Sequence, residues 1–254
     1  MIPPEIAATD ITSPDQYHDA RFIPLRTVFN LRDLGGFTGL DGAEVRTGLV
    51  FRSDQFGRID TDDLTELVER RGLRTVVDLR RDEELAETGT FPDGHGVTTH
   101  HVELTHLRWE LFDRELHTPD LVGFLVQRYT AMLETGAPAI RRTLELMTTA
   151  TPLVFCCMAG RDRTGITAAV TLGLLGVRDE DIVADYALSM EGNARYYAWL
   201  RDQGDPDPWV GLPPHPDVMR GLLANIGKAF GSIEAYADVI GFTGVTELRE
   251  HLLS

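Results

Sequence analysis

The 254-residue sequence is poor in cysteine, almost without lysine, and short of positive charge. Its two cysteines, Cys156 and Cys157, are adjacent. Consecutive Cα atoms lie about 3.8 Å apart, closer than the ~4.4–6.8 Å of an ordinary disulfide. No disulfide framework is indicated, which suits a reducing compartment. Lys228 is the single lysine, so nearly all positive charge is arginine. Lysine and arginine total 24 against 40 acidic residues, a net charge of −16. Such a surface repels polyanions at long range and argues against a general nucleic-acid or anionic-membrane binder. No uncharged apolar run is long enough to span a bilayer. Met1-Ile2-Pro3-Pro4-Glu5 reads as neither signal nor transit peptide. The expectation is a soluble cytoplasmic protein with no membrane insertion and no nucleic-acid partner.

The chain is long enough to bury a substantial core, as one α/β domain or one domain with an appendage. It is organised around Leu153 to Gly165, Leu-Val-Phe-Cys-Cys-Met-Ala-Gly-Arg-Asp-Arg-Thr-Gly. An apolar, β-prone run ends at a cysteine, five residues lead to Arg163, and a small-residue apolar segment follows from Ile166. This reads as a buried strand feeding a tight loop that opens a helix. Backbone N–H groups of such a loop and the positive end of the helix dipole form an anion site, an environment that stabilises a thiolate at Cys157. Arg163 supplies a planar fork suited to two phosphate oxygens. Taken singly, the cysteine could be a buried hydrophobe, Gly160 a turn, and Arg163 a surface ion-pair partner. The strand before and helix after supply the context that phosphate-ester cleavage through a phosphocysteine requires.

Cys157-Met158-Ala159-Gly160-Arg161-Asp162-Arg163-Thr164-Gly165 resembles the phosphate loop of cysteine-dependent protein tyrosine phosphatases. More narrowly it is similar to the atypical bacterial family whose loop reads His-Cys-x-x-Gly-Lys-Asp-Arg-Thr-Gly. Asn30 to Gly36, Phe51-Arg52-Ser53, Val76 to Arg80, Asp181 to Ser189 and Gly231 to Tyr236 also resemble that family. Strand-helix-strand alternation points to an α/β sheet with ligand chemistry at the strands' C-terminal ends, and the resemblance implies a central mostly parallel sheet flanked by helices, with a helical C-terminal part. Residues 1–20, polar and carrying Pro3, Pro4 and Pro14, read as a surface tail, and 21–254 as a single phosphatase-like domain. Two positions depart from the pattern: Cys156 replaces the histidine before the nucleophile, and Arg161 replaces the loop lysine, keeping its charge.

Elsewhere, Asn30 to Gly36 reads as a turn, with Arg32 and Asp33 as a turn ion pair. The resemblance offers those two instead as braces behind the loop. Gly48 to Arg52 reads as a strand, Thr61 as a helix start with Gly72 as its stop, and Arg74 to Leu79 as a strand covered on both faces. The acidic run Asp82-Glu83-Glu84 is expected to face solvent, and Val97 to Leu104 is a third strand candidate. His100, His101 and His106 invite a metal reading. Strand alternation puts His100 and His101 on opposite faces, so no metal is expected. Thr118-Pro119-Asp120 reads as the capped start of a helix; by resemblance to tyrosine phosphatases with a mobile Pro-Asp loop, Asp120 is also a candidate acid. Residues 138–148 form another helix, and Asp179 starts a further one. Tyr196, Tyr197 and Trp199 with Gly204 to Trp209 fit either core packing or a lid, and residues 190–230 are left as a lid or helical appendage.

The resulting expectation, resting on the resemblance, is a protein tyrosine phosphatase, with dual-specificity or phosphoinositide activity as variants, acting on a phosphorylated protein or small phosphoester. Cys157 attacks phosphorus, and N–H groups of Met158, Ala159, Gly160, Arg161, Asp162 and Arg163 with the Arg163 guanidinium hold the equatorial oxygens. By resemblance, Asp162 is the first candidate for the acid, ahead of Asp120, and Thr164 assists departure of the thiolate. No metal or organic cofactor enters. A phosphate-binding module without turnover and a loop-cysteine sulfurtransferase are the competing readings. Cys156 suggests one further possibility, reversible protection of an oxidised Cys157.

Overall fold

The computed structural model describes residues 19–105, 120–204 and 214–254. The expected tail, His106, Thr118-Pro119 and Asp205 to Trp209 fall largely or wholly outside them. Among the described residues, five strands form the central sheet: β1 (Arg32–Asp33), β2 (Val50–Ser53), β3 (Thr75–Asp78), β4 (Thr98–His101) and β5 (Leu153–Cys156), in the order β1-β2-β5-β3-β4. β2, β5, β3 and β4 run parallel, and β1 alone is antiparallel, against β2. All four residues of β2, β3 and β5 are buried, the pattern of parallel strands covered on both faces. β4, Thr-Thr-His-His, is mostly exposed and polar, as suits an edge. The fold is thus α/β with a mostly parallel sheet.

Strand alternation divides the core. Phe155 and Val77 join the larger apolar cluster, while Val154, Val76 and Phe51 join the smaller one. Helices α1 (Thr61–Thr65), α2 (Asp82–Thr88), α3 (Leu121–Thr135), α4 (Ala137–Thr149), α5 (Asp162–Leu174) and α6 (Asp179–Ala187) are followed by α7 (Ser189–Asp202), α8 (Pro216–Phe230), α9 (Ile233–Val239) and α10 (Val245–Leu252). α5 is buried along almost its entire length because its small residues let sheet and helices approach from every side.

Several local expectations need correction. Asn30 to Gly36 contains a strand as well as a turn; two residues are too few to display alternation. Arg32 and Asp33 are not a turn ion pair. Asp33 accepts from the Gly35 and Gly48 N–H groups at 2.8 and 2.7 Å, while Arg32 reaches Asp185. α1 does start at Thr61, capped by Asp60, which accepts from the Asp63 N–H at 2.9 Å, and it continues as a π-helical turn through Arg70.

Candidate active site

Ser53, Cys156 and Asp78 stand side by side in the sheet register. The segments following β2, β5 and β3 therefore leave from one edge, where ligand chemistry sits in open parallel sheets. The segment after β5 is the Cys157-to-Arg161 loop, and α5 begins at Asp162. Gly160 has φ +64°, and a Cβ there would lie 2.6 Å from the Ser53 carbonyl carbon and oxygen, so only glycine fits. The Asn30 side-chain amide donates to the carbonyls of Ala159 (2.9 Å) and Gly160 (3.1 Å). Arg52 donates to Gly160 O at 2.8 Å, and the Gln55 N–H to Met158 O at 3.3 Å. With these carbonyls drawn outward, the N–H groups of the same peptide units aim at the opposite, concave side.

The brace is itself fixed by a buried charge cluster. Asp185 of α6 accepts from Arg32 at 3.0 Å, Arg52 at 2.5 Å and Arg21 at 3.2 Å. Arg32 also donates to Asn30 Oδ1 and to Ser189 Oγ. Burial opposes a charge on Asp185, yet the three guanidinium groups outweigh it and hold the carboxyl below its ordinary range. Burial and repulsion from Arg52 push Arg32 down to about 10. Arg32 thus lies behind the loop and acts on it through Asn30.

Arg163 is 5% exposed and grips Glu84 with both terminal nitrogens, at 2.6 and 2.8 Å. Burial opposes the charge on each, but their mutual bond raises Arg163 and lowers Glu84 to about 2. The expected solvent position of Glu84 is therefore wrong. Glu84 is the third residue of α2 and also accepts from the Arg81 N–H at 2.8 Å, the reach-back half of a capping box. That spacing was a readable signal for an inward-turned carboxylate.

Asp162 opens α5 and is clamped by the Arg161 fork at 3.0–3.1 Å. Tyr129 of α3 donates to its Oδ1, and the Tyr186 hydroxyl lies 2.8 Å from that of Tyr129. Both tyrosines, which the helical pattern presents as core, are buried. Gly165 is what lets the Tyr186 ring in, since a Cβ there would meet it at 3.0 Å. Thr164 is fully buried, and its hydroxyl has no hydrogen-bond partner among the described residues. Asp120 caps α3, accepting from the Gly123 N–H at 2.9 Å.

Cys157 is 2% exposed and packs with the larger cluster; Cys156 packs with the smaller. The two thiols leave opposite faces of the sheet, so a bond between them requires the loop to rearrange. Burial, reinforced by Asp78, pushes the Cys156 thiol well above its ordinary value and keeps it neutral.

α7 covers this region. Gly192 packs directly against Asn30, where a Cβ would meet Oδ1 at 2.7 Å. Tyr196 stacks on Trp199, both contact Phe29, and Arg58 lies over all three rings. His101 is engaged with the Arg80 carbonyl at 2.7 Å.

A mostly parallel sheet thus carries the cysteine loop at a strand's C-terminal end, with an arginine on the next helix. The pattern of the tyrosine phosphatase family matches residues 23–254, and the chain belongs to that family. A Cupriavidus necator protein provisionally named a tyrosine-protein phosphatase is 31% identical over 252 residues, covering 93% of this chain and 89% of that one. The triple specificity protein phosphatase PtpB of Mycobacterium tuberculosis is 27% identical over 188 residues, covering 63% and 66%. The crystal structure of Pseudomonas aeruginosa TpbA aligns with a TM-score of 0.38 and 16% identity, over 78% of this chain and 89% of that one. Membership makes the protein a phosphatase and disfavours the sulfurtransferase and the inert binding module. No described helix is long and apolar enough to cross a membrane.

Proposed function

We propose that the protein is a cytoplasmic tyrosine phosphatase that cleaves phosphomonoesters of proteins through a phosphocysteine at Cys157. The observation that carries this is the buried Cys157 at the tip of β5, inside a loop whose carbonyls are tied back by Asn30, Arg52 and Gln55. Cys157 Sγ attacks phosphorus, an S–P bond forms, and the bond to the leaving oxygen breaks. Arg163 and the N–H groups of Met158 to Arg163 hold the equatorial oxygens, with Glu84 keeping the Arg163 fork in plane. Asp162 gives its proton to the leaving oxygen. An incoming phosphate dianion favours the protonated carboxyl by like charge. Water then attacks phosphorus, Asp162 takes its proton, and the S–P bond breaks; the Thr164 hydroxyl, partnerless among the described residues, donates to the departing sulfur. Asp120 is committed to capping α3 and is the weaker acid candidate. α7 forms a wall beside the loop, and the two free cysteines suit a reducing compartment. Cys157→Ser is expected to abolish hydrolysis of p-nitrophenyl phosphate while orthovanadate or phosphate still binds; turnover at the parental rate would refute the scheme.

A further inference from the structure

Two buried phenols end on the loop carboxylate, and the proposed chemistry does not use them. Tyr129 is 0% and Tyr186 1% exposed, with ring centroids 6.1 Å apart in an edge-on arrangement. A carboxylate only accepts, so the Tyr129 hydroxyl spends its proton on Asp162. Its oxygen then accepts from Tyr186. The chain has one direction, Tyr186 to Tyr129 to Asp162, and successive hydrogen bonds polarise one another along it. Burial, with the negative charge of Asp162 next, pushes both phenols above their ordinary range, so both stay protonated as donors.

We propose that Tyr129, backed by Tyr186, is a positioning residue for the general acid: it orients Asp162 and stabilises the carboxylate left after proton donation, making Asp162 a stronger acid. This rests on the reading of Asp162 as the acid. A hydrogen bond donated to a carboxylate favours its ionised form. The benefit therefore appears when the leaving group needs its proton and vanishes when it does not. Among the described residues, the charged and titratable groups around Asp162 include Arg161, Arg163 and Cys157 on the loop and α5, Tyr129 on α3, Tyr186 on α6 and Tyr197 on α7. The two phenols form a chain that ends on the carboxylate, and removing either leaves the Arg161 clamp in place.

The test compares p-nitrophenyl phosphate, whose leaving group needs little protonation, with phenyl phosphate, whose leaving group needs a proton. Parent, Tyr129→Phe, Tyr186→Phe and Asp162→Asn would be measured for kcat across pH. Tyr129→Phe is expected to raise the pH of the basic limb of kcat by about one unit. It should also slow phenyl phosphate about threefold more than p-nitrophenyl phosphate, following Brønsted behaviour. Tyr186→Phe should move both readouts the same way by less, and orthovanadate inhibition should be unchanged in both. If Asp162→Asn abolishes the basic limb while Tyr129→Phe shifts neither the limb nor the ratio, the inference is wrong and the acid assignment stands. If Asp162→Asn keeps the limb and the ratio, the acid assignment itself is wrong, and the inference falls with it. An equal slowing of both substrates by Tyr129→Phe, with an unmoved limb, would make Tyr129 a packing residue only.

Discussion

At the scale of single residues, Glu84 carries the clearest consequence. Its two bonds hold the Arg163 fork, which we propose receives phosphate, so Glu84→Gln is expected to lower kcat/KM about tenfold, mostly through a loosened Arg163. Its carboxyl sits at about 2 against an ordinary 4.5. A depressed carboxylate contributes stability that is complete above the ordinary value and is lost as pH falls through the folded one. Thermal unfolding from pH 5 to pH 2 should therefore fall less steeply in Glu84→Gln than in the parent; parallel curves would mean the pair adds nothing. The sequence shows Cys157, Arg163 and Gly160 plainly, because spacing between a strand and a helix is local information. It presents Glu84 as part of an acidic, solvent-facing run. The partner that turns Glu84 inward lies 79 residues away, and only its capping position hinted at an inward reach.

At the scale of elements, the loop is shaped by what stands behind it. Gly160→Ala would strain a φ of +64° and drive a methyl into the Ser53 carbonyl. The φ alone costs about 1–3 kcal/mol. We expect a lower denaturation midpoint together with weakened orthovanadate binding by calorimetry; unaltered binding would show that the loop tolerates displacement. β3 and β5 were legible as continuous apolar runs, and β2 nearly so. β1 was not, since two residues hold no pattern and its pairing with β2 is a tertiary event. Tyr129 and Tyr186 lie at apolar-face positions of α3 and α6, and position alone could not tell core packing from a hydroxyl chain directed at Asp162. The same limit applies to α7, whose aromatic face is fixed by Phe29 and Arg58, elements far away in the chain.

At the scale of the whole molecule, the buried cluster around Asp185 links the N-terminal part of the described chain to α6 and, through Arg52 and Asn30, to the loop. Removing one member of a buried ion cluster leaves the others uncompensated, typically at about 3–5 kcal/mol. Asp185→Asn is therefore expected to lose stability of that order in denaturant unfolding and to lose activity with it. A change within about 1 kcal/mol would place the cluster among weak exposed pairs instead. The α/β class and the site's location at the sheet edge were legible from strand and helix alternation. The cluster was not, because its arginines and its aspartate are scattered from Arg21 to Asp185 and meet only once the sheet has formed.

The central claim is a covalent bond between phosphorus and Cys157. Its most direct test is acid quenching of the enzyme during turnover of p-nitrophenyl phosphate, followed by peptide mass spectrometry. The expected result is phosphate on the peptide carrying Cys157, absent from Cys157→Ser and assigned to the second sulfur of the Cys156-Cys157 pair by fragmentation. Phosphate on any other residue, or sustained turnover with an unmodified thiol under conditions that trap the intermediate, would contradict it.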